Sequence, residues 1–180
     1  MSLHEIVLEE TKPETEWVRG RALRKVSPTY RHGLTQLRIA TALSIWAEGA
    51  GRGRVATEWR FRVGPPGEVV RPLVPDVAFV SFETLPQDAP DEDVEVPRLA
   101  PTVAVEVLSP DDRPLDVRDK VRVYLAAGSS AVIVLDPQRE RATLYDAASP
   151  RGVDVAAILT HGALPGFAVA IATLFDRKRA

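Results

Sequence analysis

The most informative segment of this chain is Pro101-Thr102-Val103-Ala104-Val105-Glu106-Val107-Leu108-Ser109-Pro110. It is a short apolar run that is rich in β-branched residues, is bounded by prolines and carries one carboxylate near its end. Such a run predicts a strand that is buried on both faces. Because burial of an unpaired charge is costly, Glu106 is expected to have a partner.

A comparable run upstream, Pro75-Asp76-Val77-Ala78-Phe79-Val80-Ser81, predicts a second buried strand with a carboxylate at its start. If the two strands lie side by side, Asp76 and Glu106 come together, and the small Ala78 and Ala104 leave room beside them. Like charges at that distance need a cation between them, or one must take a proton. A hard divalent metal with oxygen ligands is the simplest such cation.

Alternatives without a metal stay open at this point. Asp76 can cap a turn, and Glu106 can pair with an arginine such as Arg98 or Arg118. Neither spacing nor composition excludes such a structural role.

A helix is predicted over Asp116–Leu125, since the apolar residues there follow a helical spacing. It comes after the Glu106 strand and a short loop, so it can return Lys120 over the end of the sheet. Asp116 lies four residues before Lys120 and can pair with it. Tyr124 lies one turn further along the same face, a position more typical of a core residue.

Together, these segments resemble the Uma2 (DUF820) family of the PD-(D/E)XK nuclease-like superfamily. The residues that carry the resemblance are Pro75-Asp76, Val105 to Pro110, Asp116 with Lys120 and Tyr124, Val134-Leu135-Asp136-Pro137 and Leu164-Pro165-Gly166-Phe167. The resemblance covers roughly Glu16 to Phe175. It implies an α/β fold of the restriction-endonuclease type, with a central mixed sheet flanked by helices and an added N-terminal β-hairpin. A hairpin turn at Arg19-Gly20-Arg21 agrees with that addition.

For the site, the resemblance implies that Asp76, Glu106 and the backbone carbonyl of Val107 hold Mg²⁺ or Mn²⁺. The superfamily's usual lysine position is occupied by Leu108, so the resemblance implies a lysine from the following helix, Lys120. A bound metal would activate water and polarise a phosphate, and Lys120 would stabilise the developing negative charge. The resemblance places a histidine near the position of His32, which implies that His32 can face the site or contact a phosphate, although capping or packing is the commoner role of a lone histidine there.

Charge is unevenly distributed along a chain whose formal net charge is only −2. Between residues 17 and 72, eleven Lys and Arg stand against three acids, whereas between 73 and 119 twelve acids stand against three arginines. A basic half beside an acidic half that holds a metal suits a phosphodiester substrate. The alternative is that the two halves pair with each other on the surface.

Several classes of protein are excluded by composition. The chain has no cysteine, which rules out disulfides, thiolate zinc sites and cysteine nucleophiles. There is no apolar stretch long enough for a transmembrane helix, and the N-terminus lacks the pattern of a signal peptide. We therefore expect a cytoplasmic protein that does not bind membranes. At 180 residues, one domain over 1–180 is expected.

The remaining segments give weaker predictions. A helix is expected from Ser27-Pro28 to about Glu48, apolar on more than one face and therefore well buried. Residues 54–63 alternate as one strand, with a hairpin partner that begins at Glu68. The acidic stretch 83–100 is a surface loop or a gate over the site. Residues 131–135, 142–145 and 152–155 read as strands, and 168–175 as a strand or a helix.

The leading hypothesis is a metal-dependent endonuclease that hydrolyses nucleic acid, with DNA as the preferred substrate. A homodimer would suit an enzyme that cuts two strands. A non-catalytic binding or regulatory module with a degenerate site is the alternative, favoured by Leu108 at the usual lysine position. A hydrolase of a small phosphodiester is a third. The sequence leaves the target sequence, the choice of DNA or RNA and the activity of the site open.

Overall fold

The computed structural model describes residues 4–9, 13–25 and 27–175. In chain order, the strands are β1 (Thr15–Val18), β2 (Arg21–Arg24), β3 (Gly53–Thr57), β4 (Phe61–Val63), β5 (Arg71–Leu73), β6 (Val77–Ser81), β7 (Val103–Val107), β8 (Ala131–Asp136), β9 (Arg141–Asp146), β10 (Val153–Asp154), β11 (Ile158–Leu159) and β12 (Val169–Ala170). The helices are α1 (Tyr30–Gly49), α2 (Asp91–Glu95), α3 (Pro114–Ala126) and α4 (Ile171–Leu174).

A mixed sheet of six strands, in the order β10-β9-β8-β7-β6-β3, forms the centre of the molecule. β7 and β8 are parallel, and the other neighbours are antiparallel. In the β6–β7 register Val77 lies opposite Val105 and Ala78 opposite Ala104. The next position of that register sets Asp76 against Glu106. The predicted central sheet flanked by helices, and the added hairpin β1–β2, are thus confirmed.

Two apolar clusters cover the two faces of this sheet. One contains Ile39 and Leu43 of α1 with Val77 and Val105, and the other contains residues of α3 with Ala78 and Ala104. Because side chains alternate along a strand, the even-numbered Asp76 and Glu106 belong to the face that α3 covers. The fold therefore directs both carboxylates towards the helix that carries Lys120.

The burial of α1 differs from the prediction. Only one stripe, formed by Thr35, Ile39, Leu43 and other residues of the same face, is buried, while Leu37 is 62% and Ile45 69% exposed. The helix lies in an outer layer against one side of the sheet, so its opposite side has no cover among the described residues. The helix begins at Tyr30, later than the expected start at Ser27-Pro28, and its N-cap is Thr29, whose hydroxyl accepts from the His32 N–H.

The single strand predicted over 54–63 is wrong, because the chain bends in its middle. β3 pairs with β6 at the edge of the main sheet, whereas β4 pairs with β5 in a separate hairpin. Between them Glu58 takes a φ of +51°, a left-handed conformation that is unusual for a residue with a side chain. Alternation of apolar residues carries no signal of such a bend.

The acidic stretch 83–100 is tied to the body of the protein. It contains the short helix α2, whose Val94 carbonyl accepts from the Trp59 indole, and Arg54 donates to three carbonyls of residues 85–87. None of residues 83–100 lines the cleft at the carboxylates Asp76 and Glu106, so the structure does not support the predicted gate over the site.

Residues 168–175, predicted as a strand or a helix, contain both, the strand β12 and the helix α4. Within the described residues, no helix combines the length and the apolar character needed to cross a membrane.

Candidate active site

A cleft of about 550 Å³ opens where the N-terminal hairpin, α1, the start of β6, the end of β7 and α3 meet. Its inner wall holds the charged and polar residues Glu16, Lys25, His32, Asp76, Glu106 and Lys120. All of them except Lys25 are buried, and Lys25 is largely covered. Buried charged side chains need close partners of opposite charge or hydrogen-bond donors and acceptors. Most of the side chains in this cleft have such a partner.

Asp76 is held by both of its carboxylate oxygens. Oδ1 accepts from Lys25 Nζ at 2.8 Å, and Oδ2 accepts from the Val107 backbone N–H at 2.6 Å. His32 Nε2 lies 3.6 Å from Oδ2. Burial alone would raise the pKa of Asp76, but the nearby His32 imidazole and the charges of Lys25 and Lys120 hold that pKa well below its usual range. Asp76 is therefore a carboxylate at neutral pH.

Glu106 is satisfied on one oxygen only. Oε2 accepts from Lys120 Nζ at 2.6 Å, whereas Oε1 is buried and has no hydrogen-bond partner. Burial, together with the charges of Asp76 and Glu16, raises the pKa of Glu106 to about 8, even though Lys120 and Lys25 act in the opposite direction. Burial is the largest of these causes, and it favours the protonated form of the Glu106 carboxyl group.

Lys120 reaches the Glu106 carboxylate from α3 and also lies 3.0 Å from the Glu16 carboxylate. Burial disfavours its charged form, yet the carboxylates of Glu106, Glu16 and Asp76 raise its pKa above the usual range. The structure thus brings Asp76, Glu106 and Lys120 together. Of the arginines considered as partners of Glu106, Arg98 binds Glu5 instead.

Two residues of the site, Glu16 and Lys25, were not predicted, and both come from the N-terminal hairpin region. Glu16 accepts from the Val74 N–H at 2.7 Å. Lys25 contacts Asp76, the Val74 carbonyl at 3.0 Å and Glu58 Oε2 at 2.7 Å. Neither residue lies in a pattern that would have revealed its role, because each reaches the cleft only through docking of the hairpin against the sheet.

The predicted pairing of Asp116 with Lys120 is wrong. Asp116 instead binds Arg21 at 2.5 Å and lies 3.6 Å from Arg19, both in the hairpin. Asp119 accepts from the Arg19 N–H at 3.2 Å. Asp116 therefore joins α3 to the hairpin that carries Glu16, the second carboxylate partner of Lys120.

Tyr124 is fully buried in the apolar cluster between α3 and the sheet. Its hydroxyl has no hydrogen-bond partner. Burial raises its pKa well above the usual value, and the charges of Glu106 and Glu16 add to that effect. Tyr124 is a core residue close to the Glu106 side chain, and it does not line the cleft.

The donor atoms fit a hard divalent cation. Among the described residues, no three His, Asp or Glu side chains already form a metal site. However, Asp76 and the unpaired Oε1 of Glu106 lie at neighbouring strand ends. The N–H and C=O of a strand residue point to the same side, so the Val107 carbonyl is on the β6 side, like its N–H, which donates to Asp76. Oxygen donors of this kind suit a hard divalent cation.

The charge balance supports the same conclusion. Lys25 and Lys120 together contact four carboxylates, those of Asp76, Glu58, Glu106 and Glu16. The formal charge of this cluster is therefore −2, the charge that one divalent cation neutralises. Without such a cation, a raised pKa at Glu106 is the expected response of the buried excess charge.

Only part of the basic N-terminal half lines the cleft. Arg21, Arg24 and Lys25 do so, and Arg113 joins them from the acidic half. Arg71 instead pairs with Asp119 at 3.0 Å. The two halves of the chain thus partly neutralise each other, as the alternative interpretation of the charge pattern predicted.

Comparison with known proteins decides the family. The sequence matches the Uma2 family, described as "Putative restriction endonuclease", over residues 2–172. The chain belongs to the Uma2 family. Among solved structures, this Uma2 chain resembles one described as a putative nuclease belonging to DUF820 from Anabaena variabilis, with a TM-score of 0.78 and 20% identity. The match covers 93% of this chain and 92% of the other. At that identity, it establishes the fold alone. No curated protein matches the sequence.

Proposed function

We propose that this Uma2 protein is a metal-dependent endonuclease that hydrolyses phosphodiester bonds of nucleic acid, DNA in the first place. The observation that carries the proposal is the cleft in which four carboxylates face two lysines while Glu106 Oε1 has no partner. Such a site attracts a divalent cation, and family membership connects it with nucleases.

In this proposal Asp76, Glu106 and the Val107 carbonyl hold Mg²⁺ or Mn²⁺. A metal bound there would lower the pKa of a water molecule and polarise the phosphate. Lys120 would then stand beside the attacking water and stabilise the negative charge that develops on the phosphate oxygens. His32 Nε2 lies 3.6 Å from Asp76 Oδ2, so His32 would help to orient the Asp76 carboxylate.

The residues around this centre would position the catalytic groups and would not contact the reacting atoms themselves. Glu16 holds Lys120 in place from the hairpin, and Asp116 holds the hairpin through Arg21. Tyr124 supports Glu106 from the core. Arg113 lies at the mouth of the cleft with an exposed side chain, where a nucleic-acid backbone would approach.

A cleavage assay tests the function. Supercoiled plasmid, linear duplex, single-stranded DNA and RNA would each be incubated with the protein and Mg²⁺ or Mn²⁺. We expect cleavage that chelator abolishes and that falls at least about 100-fold in Lys120→Met and Asp76→Asn. Asp88→Asn, which removes an exposed carboxylate of the 83–100 loop outside the cleft, is the control and should cleave like wild type.

One observation favours the second candidate, a non-catalytic module. Asp76 Oδ1 and Glu106 Oε2 are each already paired with a lysine, so the site can persist without a metal. A protein that binds nucleic acid but cleaves none of these substrates with either metal would support this candidate. In that case Asp76→Asn would leave nucleic-acid binding unchanged.

Assembly and location also stay predictions. A homodimer would allow two clefts to act on the two strands of a duplex, and light scattering at micromolar protein would measure it. A monomer would restrict the proposal to nicking or to single-stranded substrates. Cytoplasmic location and a single domain over 1–180 remain predictions from the sequence.

A further inference from the structure

We propose that Lys25 is a displaceable counter-cation, whose ammonium group occupies the Asp76 oxygen that a divalent metal would bind and leaves it when the metal enters. This inference rests on the proposed metal site. It assigns to Lys25, which neither the sequence patterns nor the family resemblance singled out, control over the affinity of that site for metal.

The hydrogen bonds of Asp76 show why Lys25 stands in the way. Oδ2 accepts from the Val107 N–H at 2.6 Å, with His32 Nε2 at 3.6 Å. That bond belongs to the backbone of β7 and cannot move without disturbing the sheet. Oδ1 accepts from Lys25 Nζ at 2.8 Å. Lys25 approaches on a flexible four-carbon stem, so it is the contact that can give way.

A second carboxylate offers Lys25 a position closer to solvent. Its Nζ already lies 2.7 Å from Glu58 Oε2, and the Glu58 side chain is 36% exposed against 4% for Asp76. An outward movement of Nζ would therefore break its contacts with Asp76 and with the Val74 carbonyl, which lies 3.0 Å away, and keep the contact with Glu58. Gln36 donates to Glu58 Oε1 at 2.7 Å, and this hydrogen bond keeps the Glu58 carboxylate in position to bind Lys25.

Lys120 has no such exit. Its side chain is 11% exposed, and both of its carboxylate partners, Glu106 and Glu16, are buried as well. It extends from a helix whose neighbouring residues Val121 and Tyr124 belong to the core. The two lysines are thus unequal, with Lys120 as the fixed one and Lys25 as the one that exchanges.

Calorimetric titration with Mn²⁺ tests the effect on affinity. In Lys25→Met, which keeps most of the apolar stem, we expect Mn²⁺ to bind about tenfold or more tightly than in wild type, because a competing charge at contact distance is gone. Arg24→Met is the matched control. It removes a neighbouring exposed cation at the mouth of the cleft, and we expect a change below about twofold.

Chemical labelling tests the movement itself. Lys25 should react slowly with an acylating reagent in the metal-free protein and several-fold faster with saturating Mn²⁺, as measured by mass spectrometry of its peptide. Lys120 serves as the internal reference and should stay protected in both states. Unchanged or slower labelling of Lys25 with Mn²⁺ would contradict displacement.

Failure of this inference is distinguishable from failure of the proposed site. If Asp76→Asn abolishes Mn²⁺ binding while Lys25→Met binds as wild type or more weakly, the metal site stands and Lys25 is a positioning residue only. Equal gains in Lys25→Met and Arg24→Met would reduce the effect to long-range charge and overturn the inference. If Asp76→Asn binds Mn²⁺ as wild type does, the metal site itself fails, and the inference fails with it.

Discussion

At the scale of single residues, Glu106 is the residue whose protonation is most affected by its surroundings in the site. Its burial and its negative neighbours outweigh the lysines, so its pKa rises from 4.5 to about 8. Glu106 could be identified from the sequence because a carboxylate inside a buried strand is a local signal. Lys25, which pairs with Asp76, and Glu16, which pairs with Lys120, could not be identified, because their roles depend on tertiary docking.

We predict that the metal-free protein loses stability as pH rises. The folded pKa of Glu106, about 8, exceeds the unfolded value of 4.5, so the folded state binds more protons between these values and is most favoured below them. In chelator, the free energy of unfolding in urea should fall by a few kcal/mol between about pH 5 and about pH 8. Glu106→Gln should largely remove this slope, and an equal slope in that variant would contradict the assignment.

We also predict a large cost for removing Lys120. Above the Glu106 pKa of about 8, Lys120→Met leaves the buried carboxylates of Glu106 and Glu16 without their shared cation, which should destabilise the protein by about 3–5 kcal/mol in urea unfolding at about pH 9. Adding Glu106→Gln to that variant should recover part of the loss, since one of the two unpaired charges is then gone. A cost below about 1 kcal/mol for Lys120→Met would mean that the pair is not buried as described.

At the scale of elements, the sequence predicted those strands and helices whose formation depends on a local pattern of apolar residues. β6, β7 and β8 are continuous apolar runs, and α3 follows a helical spacing, so their type and order came from the sequence. The break between β3 and β4 did not, because it depends on one residue in an unusual backbone conformation. The hairpin β1–β2 was predicted as a hairpin, but its docking on α3 through Arg21 and Asp116 was not.

The break at Glu58 gives a prediction for backbone strain. Its φ of +51° costs a residue with a Cβ about 1 kcal/mol and costs glycine little. Glu58→Gly and Glu58→Ala both remove the carboxylate, so the comparison isolates the backbone. Glu58→Gly should be the more stable variant by about 1 kcal/mol in urea unfolding, and equal or greater stability of Glu58→Ala would contradict the conformation.

At the scale of the whole molecule, segregated charge contributes both to assembly of the fold and to the site. Arg21 of the N-terminal hairpin pairs with Asp116 of α3, and this contact docks the hairpin that carries Glu16. Arg71 of β5 pairs with Asp119 of the same helix. The family resemblance predicted the architecture, because its motifs lie on the central strands. It did not predict the charge network, since that network depends on side chains outside those motifs.

The measurement that tests the central claim most directly is calorimetric titration of Mn²⁺ into wild type, Asp76→Asn and the control Asp88→Asn. The proposed site predicts one ion per chain in wild type and in Asp88→Asn, because Asp88 lies outside the cleft. It predicts no measurable binding in Asp76→Asn, which removes one of the three oxygen donors. Equal binding in all three proteins, or binding in none, would contradict a metal site on Asp76 and Glu106.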